Sequence, residues 1–445
     1  MLNYEILEKL TRTIGVSGEE DDVRSVILSE IEPYADEIHI SPLGNILAFK
    51  KGEKRPEKKL MLCAHMDEVG FVITNITENG LLKFTTVGNI RPEVLSGRDV
   101  LVGGKTPGVI CAKPVHLLKG DEFEKPVPVN ELAIDIGADT REQAETLVQI
   151  GDNACFVPFF EHVHGTVKAK ALDDRVGCFA LITLMQRPLE YDTYFVFSTQ
   201  EEIGLRGAGT AAYILEPDAA LVLEGTTAGD IPGVSPTDAA CKMGGGAVIS
   251  LTDMRTVYPK DYFRRAMALG KENNIPVQPK TVRAGGTDAG TIHVSRGGVK
   301  TLTISHPCRY IHSAIAMTTE KDIEAVIDLM VRLAENLEAL SMSCGSSPFG
   351  CQIRSKAQAY GFHQSFAQFW TDGEAAYGKT DGSVCIAGEI TDADEARAFL
   401  SAVGTNEVVC SAENAEKLGL NITESGAILQ KVLRNGTVQP AEEIS

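Results

Sequence analysis

Apolar runs that end in a carboxylate or an imidazole recur along this chain. Residues 59–64 run into His65-Met66-Asp67, residues 193–199 into Gln200-Glu201-Glu202, and residues 219–223 into Glu224. A continuous apolar run of that length reads as a strand buried on both faces, which points to a parallel sheet covered by helices. In such sheets the polar residues at strand ends collect along one edge and form a site. Residues 299–305 repeat the device and lead to His306, Arg309 and His312. Helical segments separate the strands: residues 173–186, 207–215, 259–273 and 319–340, the last with a stripe through Ile323, Val326, Ile327, Met330 and Leu333. Ser17, followed three residues later by Glu20, predicts a capping box at the start of an early helix.

Two stretches break this α/β pattern. Residues 70–164 change to short alternating strands punctuated by glycine and proline, the signature of a small β-domain inserted into the sheet. Residues 341–350 have a linker composition of Ser, Gly, Pro and Cys, and residues 351–445 follow as an α+β appendage. Its aromatic run, residues 362–370, ends in Trp370, the single tryptophan. A chain of 445 residues exceeds what one core usually supports, which agrees with this division. The expected arrangement is a discontinuous α/β domain, residues 1–69 and 165–343, carrying the insertion and the appendage.

The polar set gathered at the strand ends is His65, Asp67, Asp173, Glu201, Glu202, Glu224 and His312. Two histidines among several acids suit a pair of divalent ions, with one carboxylate bridging them. Asp67 lies two residues beyond His65, on the same face of extended backbone, where its carboxylate can fix the ring tautomer. Glu201 and Glu202 are adjacent and point apart, so one can bind metal while its neighbour serves as a general base. Taken singly, each of these is more often a structural histidine or a helix cap; recurrence at successive strand ends favours the metal reading.

Other motifs carry less. Gly103-Gly104-Lys105-Thr106 lacks the earlier glycine of a phosphate loop and predicts a turn. His162 and His164 share a strand face where the insertion ends, and a structural role is expected. Gly285-Gly286-Thr287-Asp288 predicts a tight turn capped by Thr287 or Asp288.

Charge narrows the partners. Acids exceed bases by 61 − 42 = 19, which excludes nucleic acid and anionic membrane surfaces as natural partners. No run approaches the ~18 apolar residues of a membrane span. The ten cysteines show no C-x-x-C spacing and mostly sit in apolar runs, as reduced thiols of a cytoplasmic protein do.

Six stretches, in order, resemble the motif blocks of the M42 metallo-aminopeptidases. They are CAHMDEVGFVIT (63–74), KALDDRVG (170–177), STQEEIGLRGA (198–208), LEGTTAGDIPG (223–233), GGTDAGTIHVSRGGV (285–299) and SHPCRYIHS (305–313). The resemblance covers residues 1–343 and implies a zinc-exopeptidase-like α/β/α catalytic domain with an inserted small β-barrel. It also implies a large hollow homo-oligomer, commonly a dodecamer, that acts on short peptides with two zinc or cobalt ions. Carried over by position, His65 binds one metal, Asp173 bridges both, and Asp67 orients His65. Glu201 is the general base, Glu202 and His312 bind one metal, and Glu224 binds the other. The family more often has Asp at this last position. That departure motivates one alternative, a carboxypeptidase or deacylase of N-acyl amino acids with Arg309 holding the substrate carboxylate. A second is a non-catalytic binding or assembly protein.

Overall fold

The computed structural model describes residues 2–336 apart from residue 57, and beyond them short segments between residues 368 and 440. Residues Met1–Ser341 and Met342–Ser445 are two compact units.

Helices α1 (Tyr4–Arg12) and α2 (Asp21–Ile31) precede the hairpin β1 (Glu37–Ile40) and β2 (Ile46–Lys50), then β3 (Leu60–His65). The insertion contributes β4 (Gly70–Ile76), β5 (Leu82–Val87), β6 (Asp99–Val102), β7 (Thr106–Cys111), β8 (Ala133–Asp135), helix α3 (Arg141–Glu145) and β9 (Asn153–Phe156). These six strands close into a barrel in the order β4-β5-β8-β7-β6-β9. Phe71, Phe84 and Phe156 meet edge to face inside it. Alternation along each strand puts every second side chain into that core, as expected of a small barrel.

Strands β10 (Phe160–Val163) and β11 (Thr166–Ala169) return the chain to helix α4 (Leu172–Met185) and β12 (Thr193–Ser198). Then come α5 (Arg206–Leu215), β13 (Ala219–Thr227), β14 (Ala247–Ser250), α6 (Lys260–Glu272), β15 (Val277–Lys280) and α7 (Ala289–Ile292). Strands β16 (Lys300–Cys308) and β17 (Ala316–Thr319) and helix α8 (Glu320–Glu335) complete the unit. The main sheet runs β1-β2-β12-β3-β13-β16-β14-β15. Its centre, β12, β3, β13 and β16, is parallel, and these are the strands with near-continuous burial. Buried on both faces, such strands need no alternation. The α/β/α domain with its β-barrel insertion agrees with the sequence expectation.

In the second unit, β18 (Gln368–Asp372), β19 (Ala375–Lys379), β20 (Ser383–Ala387), β21 (Glu407–Cys410), α9 (Ala412–Lys417), β22 (Gln430–Leu433) and β23 (Val438–Pro440) follow in chain order. The strands form one sheet in sequence order. Trp370 lies on β18; the rest of the aromatic run, residues 362–367, and the linker, residues 341–350, lie outside the described residues. No helix among the described residues is long and apolar enough to cross a membrane. The six cysteines of the first unit are free, five of them buried.

A buried ion cluster ties the end of α1 to the start of α4. Lys170 Nζ lies 2.6 and 2.7 Å from the two oxygens of Glu68, and Arg175 Nη2 lies 3.5 Å from one of them. Both cations also donate to the carbonyl of Thr13, and Gly15 donates its amide to Glu68. Removing one partner of such a cluster strands buried charge. Glu68→Gln is therefore expected to lower stability by about 3–5 kcal/mol, seen as a lower unfolding midpoint at matched protein and metal concentration. An unchanged midpoint would show that water reaches these groups.

Candidate metal centre

Three central strands and two loops deliver the polar set, and β13 runs on to Thr227, so Glu224 lies inside that strand and not at the end expected for it. His65 closes β3 beside Ser198 of β12, and Glu224 lies on β13, two residues beyond the Val222 that pairs with Cys63. Glu201 and Glu202 follow β12 after Gln200, whose left-handed backbone (φ 56°) turns the chain. Asp173 stands just ahead of the regular turns of α4, and His312 sits between β16 and β17.

The helix expected over residues 173–186 starts irregularly. Ala171 is left-handed, and Asp173 and Asp174 have non-helical backbone. Asp174 behaves as the true N-cap, its carboxylate accepting from the Gly177 amide at 3.0 Å. A Cβ at position 177 would lie 2.1 Å from that carboxylate, so only glycine fits. Asp173 is thereby left outside the helix, where its Oδ1 accepts from the Gly225 amide at 3.0 Å.

The two oxygens of Asp173 serve different neighbours. Oδ1 lies 3.5 Å from His65 Nε2, and Oδ2 lies 3.8 Å from His312 Nε2. His65 Nε2 is also 3.2 Å from Glu224, and His312 Nε2 is 3.0 Å from Glu202. Donor atoms of His65, Asp173 and Glu202 lie within 4.8 Å of one another, as do those of His65, Glu201 and Glu224. Three buried donor atoms, His65 Nε2, Glu202 Oε1 and Glu224 Oε2, have no hydrogen-bond partner. Buried polar atoms are normally satisfied, so these orphans fit cations bound by imidazole and carboxylate.

The electrostatics agree. Burial, then the Glu224 carboxylate, pushes Glu201 well above the usual carboxylate range. Burial also raises Glu224 strongly, against the opposing pull of His65. Burial works against a charged ring at His312, yet Glu202 and Asp173 outweigh it and push that ring up to about 9. Acids this crowded resist ionisation together, and bound divalent cations reverse that preference.

Asp67 lies behind His65, with Oδ1 3.4 Å from Nδ1. Its oxygens also accept from the Glu201 and Glu202 amides at 3.0 and 3.1 Å and from Ser17 Oγ at 2.6 Å. The predicted capping box is thus absent. Helix α2 begins at Asp21 without a side-chain cap, Ser17 turns to Asp67, and Glu20 accepts from the amides of Gly18 and Gln200. A buried carboxylate needs donors more than solvent-facing helix amides need acceptors. Ser17 reads locally as a helix signal, and only the fold places it behind the site.

Asp288 also departs from the helix-capping role expected of it. It flanks α7 without capping it, and its buried carboxylate accepts from Ser198 Oγ at 2.5 Å. Burial raises that carboxyl to about 6. Arg309 turns its fork onto Asp230, with Nε and Nη2 donating at 2.8 and 2.7 Å. His162 stacks on Tyr4 at 4.2 Å and faces Glu320, and Gly103 and Gly104 form the left-handed turn between β6 and β7.

A model of the M42 glutamyl aminopeptidases matches residues 44–329. A putative aminopeptidase of Acetivibrio thermocellus is 38% identical over 330 residues, covering 74% of this chain and 97% of that protein. The crystal structure of a TET aminopeptidase from the marine sediment archaeon Thaumarchaeota archaeon SCGC AB-539-E09 superposes with a TM-score of 0.72 at 36% identity, covering 75% of this chain and 97% of that one. The TET1 peptidase of Pyrococcus horikoshii, which can assemble into a tetrahedron or a large octahedral shell, gives 0.67 at 36% identity, covering 74% and 98%. The matched stretch holds seven of the main sheet's eight strands, the barrel and every residue of the cluster, and on that ground the chain belongs to the M42 glutamyl aminopeptidase family.

Proposed function

We propose that this protein is a two-metal aminopeptidase that removes N-terminal residues from short peptides. The observation that carries the reading is Asp173, whose two oxygens face two histidines from opposite ends of the cluster. His65 and Glu224 would hold one zinc or cobalt ion and Glu202 and His312 the other, with Asp173 shared between them. When bound, the ions supply Lewis acidity and lower the pKa of water at the site.

The chain's own residues do the rest. Glu201, raised by burial and by Glu224, takes a proton from the attacking water and passes it to the leaving amine. Asp67 keeps the His65 ring in one tautomer and pins the Glu201-Glu202 turn through both amides. The substrate's free α-amino group would sit beside one metal and its carboxylates, a contact that an internal peptide bond cannot make, and this selects exopeptidase action.

A carboxypeptidase or deacylase needs a cation for the substrate carboxylate. The nominated residue, Arg309, already forms a two-bond pair with Asp230. That pairing favours the aminopeptidase reading. A purely structural role would leave the orphaned donors unexplained. On the same reading, residues 1–69 and 165–343 are the catalytic domain, 70–164 its insertion and 351–445 an appendage outside the chemistry. A structural neighbour at 35% identity that forms a dodecamer supports a homo-oligomer of that class, and the free cysteines support a cytoplasmic setting.

A panel of aminoacyl-p-nitroanilides beside N-acetyl amino acids tests the proposal. Release of p-nitroaniline with no cleavage of the acylated compounds is expected. The opposite pattern would establish the deacylase.

A further inference from the structure

We propose that the Gly88-Asn89 turn of the inserted barrel is a positioning element for the metal held by Glu202 and His312, so that the barrel sets the affinity of one metal and not the other. The proposal rests on the ligand assignment above.

The two histidines are held differently. His65 ends a central strand, and its ring is set by Asp67 from the same α/β domain. His312 has no such frame. It sits in a loop between β16 and β17 with left-handed backbone (φ 59°), as does Tyr310 (φ 62°). Its Nε2 faces Glu202, and its Nδ1 lies 3.0 Å from the carbonyl of Asn89, just beyond β5 of the barrel. A carbonyl only accepts, so Nδ1 carries the proton and Nε2 presents its lone pair. The barrel thereby selects the tautomer of a residue 223 positions away.

Gly88 explains how that carbonyl comes so close. Its φ is +80°, in the region that favours glycine. A Cβ there would lie 2.7 Å from Val69 Cγ1 and 3.3 Å from Glu202 Cβ. The turn therefore rests on the very glutamate that shares the metal with His312. A side chain at position 88 meets Val69 first and Glu202 next, so the turn must draw back from both and carry the Asn89 carbonyl with it. The Ile90 amide donates to Gly88 O at 3.2 Å and Ile90 is buried, so the turn moves as one piece. Loss of such an outer hydrogen bond typically weakens metal binding by about 10–100-fold.

The test uses the full-length chain stripped of metal and titrated with cobalt against a competing chelator, with binding followed by visible absorption. The parent is expected to take up two cobalt ions. Gly88→Ala should weaken one of them at least about tenfold, alter its absorption band and leave the other unchanged. Gly97→Ala is the matched control: Gly97 lies in the same barrel with φ +76°, yet a Cβ there meets nothing within 4 Å. It should bind both ions as the parent does. Gly88→Ala combined with Val69→Ala, which removes the shorter contact, should recover part of the lost affinity. Parental affinity for both ions in Gly88→Ala, or an equal loss in Gly97→Ala, would overturn the proposal. A parent that binds fewer than two ions would overturn the ligand assignment instead, and this proposal with it.

Discussion

Glu201→Gln is expected to lower kcat by about 10²–10⁴-fold while the protein keeps both metals, because the amide nearly matches the carboxylate in shape but cannot accept a proton. The backbone at this position is held independently of the side chain, by the bond from the Glu201 amide to Asp67 at 3.0 Å. The turn should therefore survive the substitution. Burial and Glu224 raise the carboxyl, which makes it a better proton acceptor than an exposed glutamate. The same carboxylate also lies within ligating reach of His65 and Glu224. Metal analysis separates the two roles: full metal content with the rate loss identifies a base, whereas loss of one metal with the activity identifies a ligand. A parental rate would remove Glu201 from the chemistry.

Chelation should bring activity to background, and added zinc or cobalt should restore it. The cluster offers only imidazole and carboxylate donors, which release divalent ions more readily than thiolates do. Stability should fall at the same time. Without cations, burial opposes ionisation of Glu201, Glu202 and Glu224 together. A ligand that binds only the folded state at a thousand times its Kd contributes about 4 kcal/mol, so the unfolding midpoint should drop measurably in chelator. Full activity in protein shown by analysis to be metal-free would end the two-metal reading.

Much of the architecture was legible along the chain. The runs ending in His65, Glu201-Glu202 and Glu224 are adjacent parallel strands because continuous apolar character admits little else in a chain this size. The change of period at Gly70 marks the barrel for the same reason: alternation belongs to strands with two unlike faces. The candidate donors were legible too, since few folds tolerate so many acids and imidazoles at buried strand ends.

Partner choice was not legible. Ser17 and Glu20 satisfy every local rule for a capping box, yet Ser17 donates to a carboxylate 50 residues away. Asp288 looks like a cap and instead takes a hydroxyl 90 residues distant, and Arg309 looks free and is paired with Asp230. The start of α4 follows the same logic, since Asp174 caps the helix and releases Asp173 to the sheet edge. Local sequence determines which polar groups are buried and need partners. Which partner each one finds depends on what the sheet and the barrel bring within about 3 Å, and only the tertiary structure sets that.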